Sequence, residues 1–157
     1  MSQKARIFAK NIEEYINVLF PKKNKELDNF FKSIYFEDNK YFLIDAKAKK
    51  LKENISRSVF SAGLFMGEIK KQEFIPSLAL IDKLSTFSEN KVFVDKKAEW
   101  LFLCGRDIFE KSVHDSEGER GIVFVQNLKD ENLGLGKFEK KEVTNIIDKG
   151  YYLRKEN

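Results

Sequence analysis

This sequence has few residues of the types that carry out catalysis or bind metals, and histidine and cysteine are the rarest of them. Among 157 residues there is one histidine, His114, and one cysteine, Cys104. A structural zinc ion normally takes four such ligands, so a His/Cys zinc cluster is excluded. His114 lies in the polar segment HDSEGER, which is predicted to be a loop and is a poor place to orient a catalytic base.

Sequence motifs give no further support for catalysis. GxxxxGK[ST], GxGxxG, HExxH, GxSxG and CxxC are all absent from the sequence. The 25 acidic residues leave carboxylate pairs available, so carboxylate-only catalysis stays open on composition alone. We expect a protein that is not an enzyme and that needs no metal and no cofactor.

Basic side chains are the more informative group. Residues 1–88 carry 16 basic and 11 acidic side chains, whereas residues 89–157 carry 13 and 14. In the second part the two signs segregate, because segment 107–119 is acidic and the final stretch is rich in cations: Lys137, Lys140, Lys141, Lys149, Arg154 and Lys155. A basic face near the end of the chain would have phosphates as its natural partner. An ordinary solvated surface is the alternative interpretation.

The residues before position 88 are predicted to contain both helices and strands. Apolar spacings of three and four predict helices at 5–20, 25–34 and 46–56. Strands are predicted at 33–36 and 40–45, joined by a turn at 37–39, and at 60–69. Segment 77–87 fits a strand, a helix, or a strand that runs into a short helix.

A polar break at 88–90 separates this part from a mainly β module. The predicted domains are therefore 1–88 and 89–157. A strand at 91–94 leads to Asp95 as the cap of a helix at 96–103, which Gly105 ends. Strands are predicted at 121–127, 133–139, 143–147 and 151–154. Trp100, Phe102 and Cys104 are expected to be buried, and the glycines at 134 and 136 to permit a bulge or a close backbone approach.

The second part resembles a PUA domain, a small β pseudo-barrel that binds RNA. The resemblance is carried by KVFVDKKAEWLFLCGRDIFEKSV at 91–113, followed by GIVFVQN and LGLGKFE. Three further stretches are similar to the Nip-seven family of 60S ribosome biogenesis factors and its archaeal homologues: residues 55–87, LGLGK at 133–137 and DKGYYLRKE at 148–156. The implied fold is α+β, with an N-terminal α/β domain containing an antiparallel sheet and a C-terminal PUA-like β pseudo-barrel.

The resemblance also implies function, namely RNA binding by the PUA domain in the maturation of ribosomal RNA and large-subunit particles. The expected partners are ribosomal RNA, pre-ribosomal particles and other assembly proteins. The expected RNA contacts are the six cations of the final stretch together with Gly105 and Arg106 at the helix end. Tyr151 or Tyr152 would stack a base from a terminal strand.

A second hypothesis is a protein-interaction adaptor with little RNA affinity of its own. The near-neutral charge of residues 89–157 motivates it, and the apolar surfaces of residues 1–88 would then carry the affinity. No stretch approaches the roughly 20 apolar residues that span a bilayer. Because a lone cysteine cannot close an internal disulfide, a reducing compartment is expected. We therefore expect a soluble cytoplasmic monomer, whose eukaryotic relatives would be nucleolar.

Overall fold

The structure is a computed structural model that describes residues 7–22, 25–55, 62–117, 120–151 and 154. The chain forms two compact units, one of residues 8–80 and one that contains residues 81–157. Residues 81–88, which the sequence analysis assigns to the first domain, group with the C-terminal unit. The boundary between residues 88 and 89 stays a prediction. Within the described ranges, no helix is long and apolar enough to cross a membrane.

The N-terminal unit contains an antiparallel sheet of four strands. They are β1 (Ile34–Glu37), β2 (Lys40–Leu43), β3 (Leu64–Lys70) and β4 (Glu73–Pro76), which are neighbours in chain order. Two tight turns join β1 to β2 and β3 to β4, with positive φ at 38 and 39 and again at 71 and 72. This geometry matches the right-handed twist of the flanking strands. The first turn was predicted, but β4 was not.

This unit contains three helices, of which the first and the third begin after the polar caps Asn11 and Asp45. They are α1 (Ile12–Leu19), α2 (Lys25–Lys32) and α3 (Ala46–Glu53). The prediction of a helix from residue 5 is wrong for residues 7–11, because the Asn11 side chain accepts from Glu14 N and starts the helix there. Residues 5 and 6 lie outside the described residues. The ambiguous segment 77–87 contains a helix, α4 (Leu78–Ser85), whose Leu80 N–H donates to Ser77 Oγ at 3.1 Å.

The C-terminal unit is built on a six-stranded sheet that curves into a nearly closed barrel. Its strands are β5 (Lys91–Val94), β6 (Ile108–Phe109), β7 (Val113–Glu117), β8 (Gly121–Asn127), β9 (Asn132–Glu139) and β10 (Glu142–Asp148). Their order is β6-β10-β9-β8-β5-β7, and only the β5–β8 pair is parallel. The helix α5 (Lys96–Leu103) packs Ala98 and Phe102 onto the buried valines of this sheet. The predicted α+β fold class is confirmed.

Four local predictions in this unit are wrong. Tyr151 and Arg154 are helical rather than extended, and Arg154 N donates to Gly150 O at 3.2 Å. His114 lies in strand β7 and not in a loop. Trp100 is 65% exposed because it lies on the face of α5 opposite Ala98 and Phe102, and Cys104, the residue that follows the helix, is also exposed. Burial of Phe102 is confirmed.

Candidate nucleic-acid interface

Helix α5 is fixed at both ends by signals in the sequence. Asp95 Oδ1 accepts from Ala98 N at 2.8 Å and so caps the first turn. Gly105 follows the helix with φ +76°, a conformation that side-chain-bearing residues rarely adopt. Arg106 N then donates to Leu101 O at 3.0 Å, which leaves the Arg106 side chain exposed at the helix end.

Arg154 lies against this helix end in what we call the helix-end junction, formed by Leu103, Gly105, Asp148, Gly150 and Arg154. Both guanidinium Nη atoms contact the Asp148 carboxylate, each at 2.8 Å, and Nη1 also donates to Leu103 O. Asp148 is 1% exposed. Its hydrogen bond and charge raise the pKa of Arg154 above its ordinary value. A Cβ on Gly150 would overlap Leu103 O, so the junction requires glycine there.

The remaining predicted cations fall into two separate places. Lys140 and Lys141 form the turn between β9 and β10, and both are exposed. Lys149 follows the far end of β10, where its ammonium contacts Asp82 at 2.9 Å. At about 3.3 Å per residue, the Cα atoms of Lys141 and Lys149 are separated by about 25 Å of strand.

Lys137 projects from β9 and forms an ion pair with Glu139 at 2.8 Å. Lys155 lies outside the described residues. Of the eight predicted contacts, the helix-end junction thus holds Gly105 and Arg154, with Arg106 beside it, while the β9–β10 turn holds Lys140 and Lys141. Their role as RNA contacts stays a prediction.

Sequence reasoning missed two cations that the fold brings to the β9–β10 turn. The Arg120 guanidinium donates to Lys140 O, contacts Glu110 at 2.9 Å, and lies 5.1 Å from the centre of the Phe138 ring. Lys111 follows β6, the edge strand beside β10. We call Lys111, Arg120, Lys140 and Lys141 the basic cluster.

An exposed aromatic ring, Phe109, lies beside the basic cluster. Phe109 is 64% exposed, and the Lys111 ammonium lies 5.8 Å from the centre of its ring. Phe109, Glu110, Lys111 and Lys141 line a cavity of about 370 Å³. The sequence RDIFEK did contain a signal for this exposed ring. In a strand, successive side chains point to opposite faces, so if Ile108 points into the core, Phe109 points to solvent. Segment 107–119 was not recognised as a possible RNA contact because most of its charged residues are acidic. One of these, Glu110, forms an ion pair with Arg120.

The glycines at 134 and 136 lie in β9, next to β10. Both are buried, and a Cβ on Gly134 would overlap Ile147 O of the neighbouring strand. The pairing of β9 with β10 also shifts register between Asn145 and Ile147. The predicted close backbone approach is therefore confirmed.

The C-terminal unit is thus a small, nearly closed β-barrel that packs one helix against its sheet and exposes several cations. Residues 90–157 match the model of the UPF0113 PUA domain. The PUA-like β pseudo-barrel predicted for the C-terminal part is therefore confirmed.

Individual relatives agree with this assignment. The chain is similar to a UPF0113 protein of Archaeoglobus fulgidus, with 39% identity over 107 residues. That match covers 59% of this chain and 61% of the relative, so this chain spans about three fifths of the length of the relative.

Two solved structures are also similar. A conserved PUA domain protein from Thermoplasma acidophilum shares 22% identity at a TM-score of 0.46, covering 74% of this chain and 98% of that one. A hypothetical protein from Pyrococcus horikoshii shares 18% identity at a TM-score of 0.50, covering 89% and 91%. The second likeness supports the fold.

Proposed function

We propose that this protein is a non-catalytic factor that binds unpaired RNA through its PUA domain. The observation that carries the proposal is an exposed basic cluster on a domain that matches the UPF0113 PUA model. Among the described residues, the ammonium groups of Lys140 and Lys141 have no ion-pair partner. They are therefore available to phosphates without first breaking an existing contact.

The contacts of this cluster are suited to the RNA backbone rather than to base sequence. Lysine ammonium groups act as point charges and contact phosphates in many orientations. Arg120 holds the turn in place through Lys140 O and Glu110, so the two lysines project from a fixed backbone. We propose that Lys137, Lys149 and Arg154 contribute less, because each already contacts a carboxylate.

We further propose that the RNA is ribosomal and that the protein acts in large-subunit assembly. The support is the resemblance of LGLGK and DKGYYLRKE to the Nip-seven family, and the similarity to an archaeal UPF0113 protein. Cross-linking of the tagged protein in its own cells should enrich ribosomal RNA precursors over transfer and messenger RNA. Enrichment of another RNA class would overturn the ribosomal assignment.

Salt-dependent binding tests the phosphate mechanism. Each neutralised phosphate adds about 0.7 to the slope of log K against log salt for a single strand. The double variant Lys140→Ala, Lys141→Ala should therefore lower the magnitude of this slope by about 1.4 in anisotropy titrations of oligouridine. The matched control, Lys49→Ala with Lys50→Ala on α3, removes the same charge from two exposed positions.

The control variant should keep the wild-type slope. Equal effects of the two double variants would mean that net charge alone drives binding, and the proposed surface would be wrong. No binding by the wild-type protein at low salt would retire the RNA-binding function.

A second candidate function is a protein-interaction adaptor. The observation that favours it is a pair of exposed apolar side chains on one face of the N-terminal sheet, Phe36 of β1 at 51% and Leu64 of β3 at 53% exposure. Exposed apolar groups of this kind are typical of protein contacts. Recovery of assembly proteins after nuclease treatment, with no RNA bound by the pure protein, would favour this function.

A further inference from the structure

We infer that the cavity beside Phe109 is a binding pocket for a single unpaired RNA base, whose ring stacks on Phe109 while the flanking phosphates contact Lys111 and Lys141. The inference rests on the proposed RNA-binding function and names the group that this surface recognises. It goes beyond the predicted contacts, none of which is Phe109 or Lys111.

Phe109 is not needed to fill the core. Its neighbour Ile108 is 1% exposed and packs in the hydrophobic cluster of the C-terminal unit, whereas Phe109 is 64% exposed. In the pairing of β6 with β10, Phe109 lies opposite Glu142 at the edge of the sheet. The ring therefore lies on the edge strand of the sheet, with much of its surface open to solvent.

The groups around the Phe109 ring match those of a nucleotide. The cavity has a volume of about 370 Å³ and is open to solvent on one side, so a base could enter it from the surface. Its lining combines one aromatic ring with the cations Lys111 and Lys141. The one carboxylate in the lining, Glu110, contacts Arg120 at 2.9 Å and is neutralised by it. The matching ligand has an aromatic face joined to negative charge, which is the chemistry of a nucleotide.

The backbone around the pocket is held in place by hydrogen bonds. Glu110 N donates to Lys141 O at 2.8 Å, which fixes the backbone after Phe109 to the β9–β10 turn. Arg120 donates to Lys140 O on the same turn. Because these bonds fix the backbone that carries the aromatic ring and the two cations, little ordering of the backbone is required when a base enters.

Stacking on an aromatic ring is tolerant of base identity, because every base has a π-face. We therefore expect this pocket to distinguish a base from no base, rather than uracil from adenine. A base inside a duplex is already stacked and paired, so the ligand is single-stranded RNA.

The test separates stacking from phosphate contact with two probes of equal charge. Oligouridine and an abasic oligoribonucleotide of the same length carry the same phosphates, and they differ only in their bases. Wild-type protein should bind oligouridine about five-fold or more tightly than the abasic strand. Phe109→Leu, which keeps an apolar side chain but removes the ring, should abolish this preference, and Phe109→Trp should retain it.

Lys141→Ala should weaken the binding of both probes by the same factor and leave the preference unchanged. The control Leu128→Ala removes an apolar side chain of similar exposure, 58%, from the turn at the opposite end of β9. It should bind both probes like the wild type.

Two negative results have different meanings. If wild-type protein binds both probes with equal affinity, or if Phe109→Leu keeps the preference, the base pocket is refuted and RNA binding stands. If wild-type protein binds neither probe at low salt, the proposed function fails and the pocket inference fails with it.

Discussion

Replacing Arg154 by alanine is expected to destabilise the C-terminal unit by about 3 kcal/mol. The substitution leaves the Asp148 carboxylate, which is 1% exposed, without the two Nη contacts at 2.8 Å. Breaking a buried ion pair from one side costs about 3–5 kcal/mol. The lower end applies here, because the Arg154 side chain is 33% exposed and water screens part of the interaction.

Urea unfolding followed by tryptophan fluorescence measures this loss. Trp100 is the one tryptophan of the sequence and lies on α5, whose Leu103 O accepts from Arg154. At an m-value of about 1.5 kcal/mol/M, the midpoint should fall by about 2 M. Arg154→Lys keeps the charge but cannot form the bidentate contact, so its loss should be roughly half as large.

The same variants decide what Arg154 does for RNA. If its role is to hold the helix-end junction, Arg154→Lys should bind oligouridine like the wild type wherever both proteins are folded. A midpoint for Arg154→Ala within about 0.3 M of the wild type, together with several-fold weaker RNA binding, would refute the structural reasoning. Arg154 would then be a direct RNA contact.

Three further predictions concern the fold. Gly134→Ala should destabilise the C-terminal unit by at least about 3 kcal/mol in urea, because its Cβ would overlap Ile147 O; a loss under about 1 kcal/mol would contradict this. Asp95→Ala should lower the free energy of unfolding by about 1 kcal/mol, because it removes the cap of α5. Asp95→Asn should keep most of this stability, because its side-chain oxygen can still accept the hydrogen bond from Ala98 N. Burial raises the pKa of Tyr15, so unfolded chains ionise this hydroxyl at a lower pH than the folded protein does, and stability should fall as pH rises above about 10. Tyrosinate absorbance from Tyr15 before unfolding would contradict this.

Local signals predicted the elements whose ends depend on neighbouring residues. Helix α5 begins after Asp95 and ends before Gly105 as expected, because the cap and the glycine act on the backbone within a few positions. The β1–β2 hairpin was found for the same reason. Strand β4 was missed because its turn uses Lys71 and Gln72 at positive φ, residue types that do not indicate a turn.

The terminal segment shows where local reasoning failed. The sequence of residues 151–154 was interpreted as a strand, yet Tyr151 and Arg154 are helical. Long-range contacts decide this: Gly150 lies against Leu103 O, and Arg154 contacts Asp148 and the end of α5. The expected stacking of a base on Tyr151 from a terminal strand is therefore wrong about the strand, because Tyr151 is helical. Tyr152 lies outside the described residues.

For the candidate site, the sequence by itself determined that lysines and arginines concentrate near the end of the chain and that the module is of PUA type. It did not determine which cations meet. The seven-residue strand β10 separates Lys141 from Lys149, and the pairing of β6 with β10 brings Phe109 and Lys111 to the β9–β10 turn. Sheet pairing joins residues about 30 positions apart in the chain, and the physical reason is that its register depends on packing of the whole core rather than on neighbouring residues.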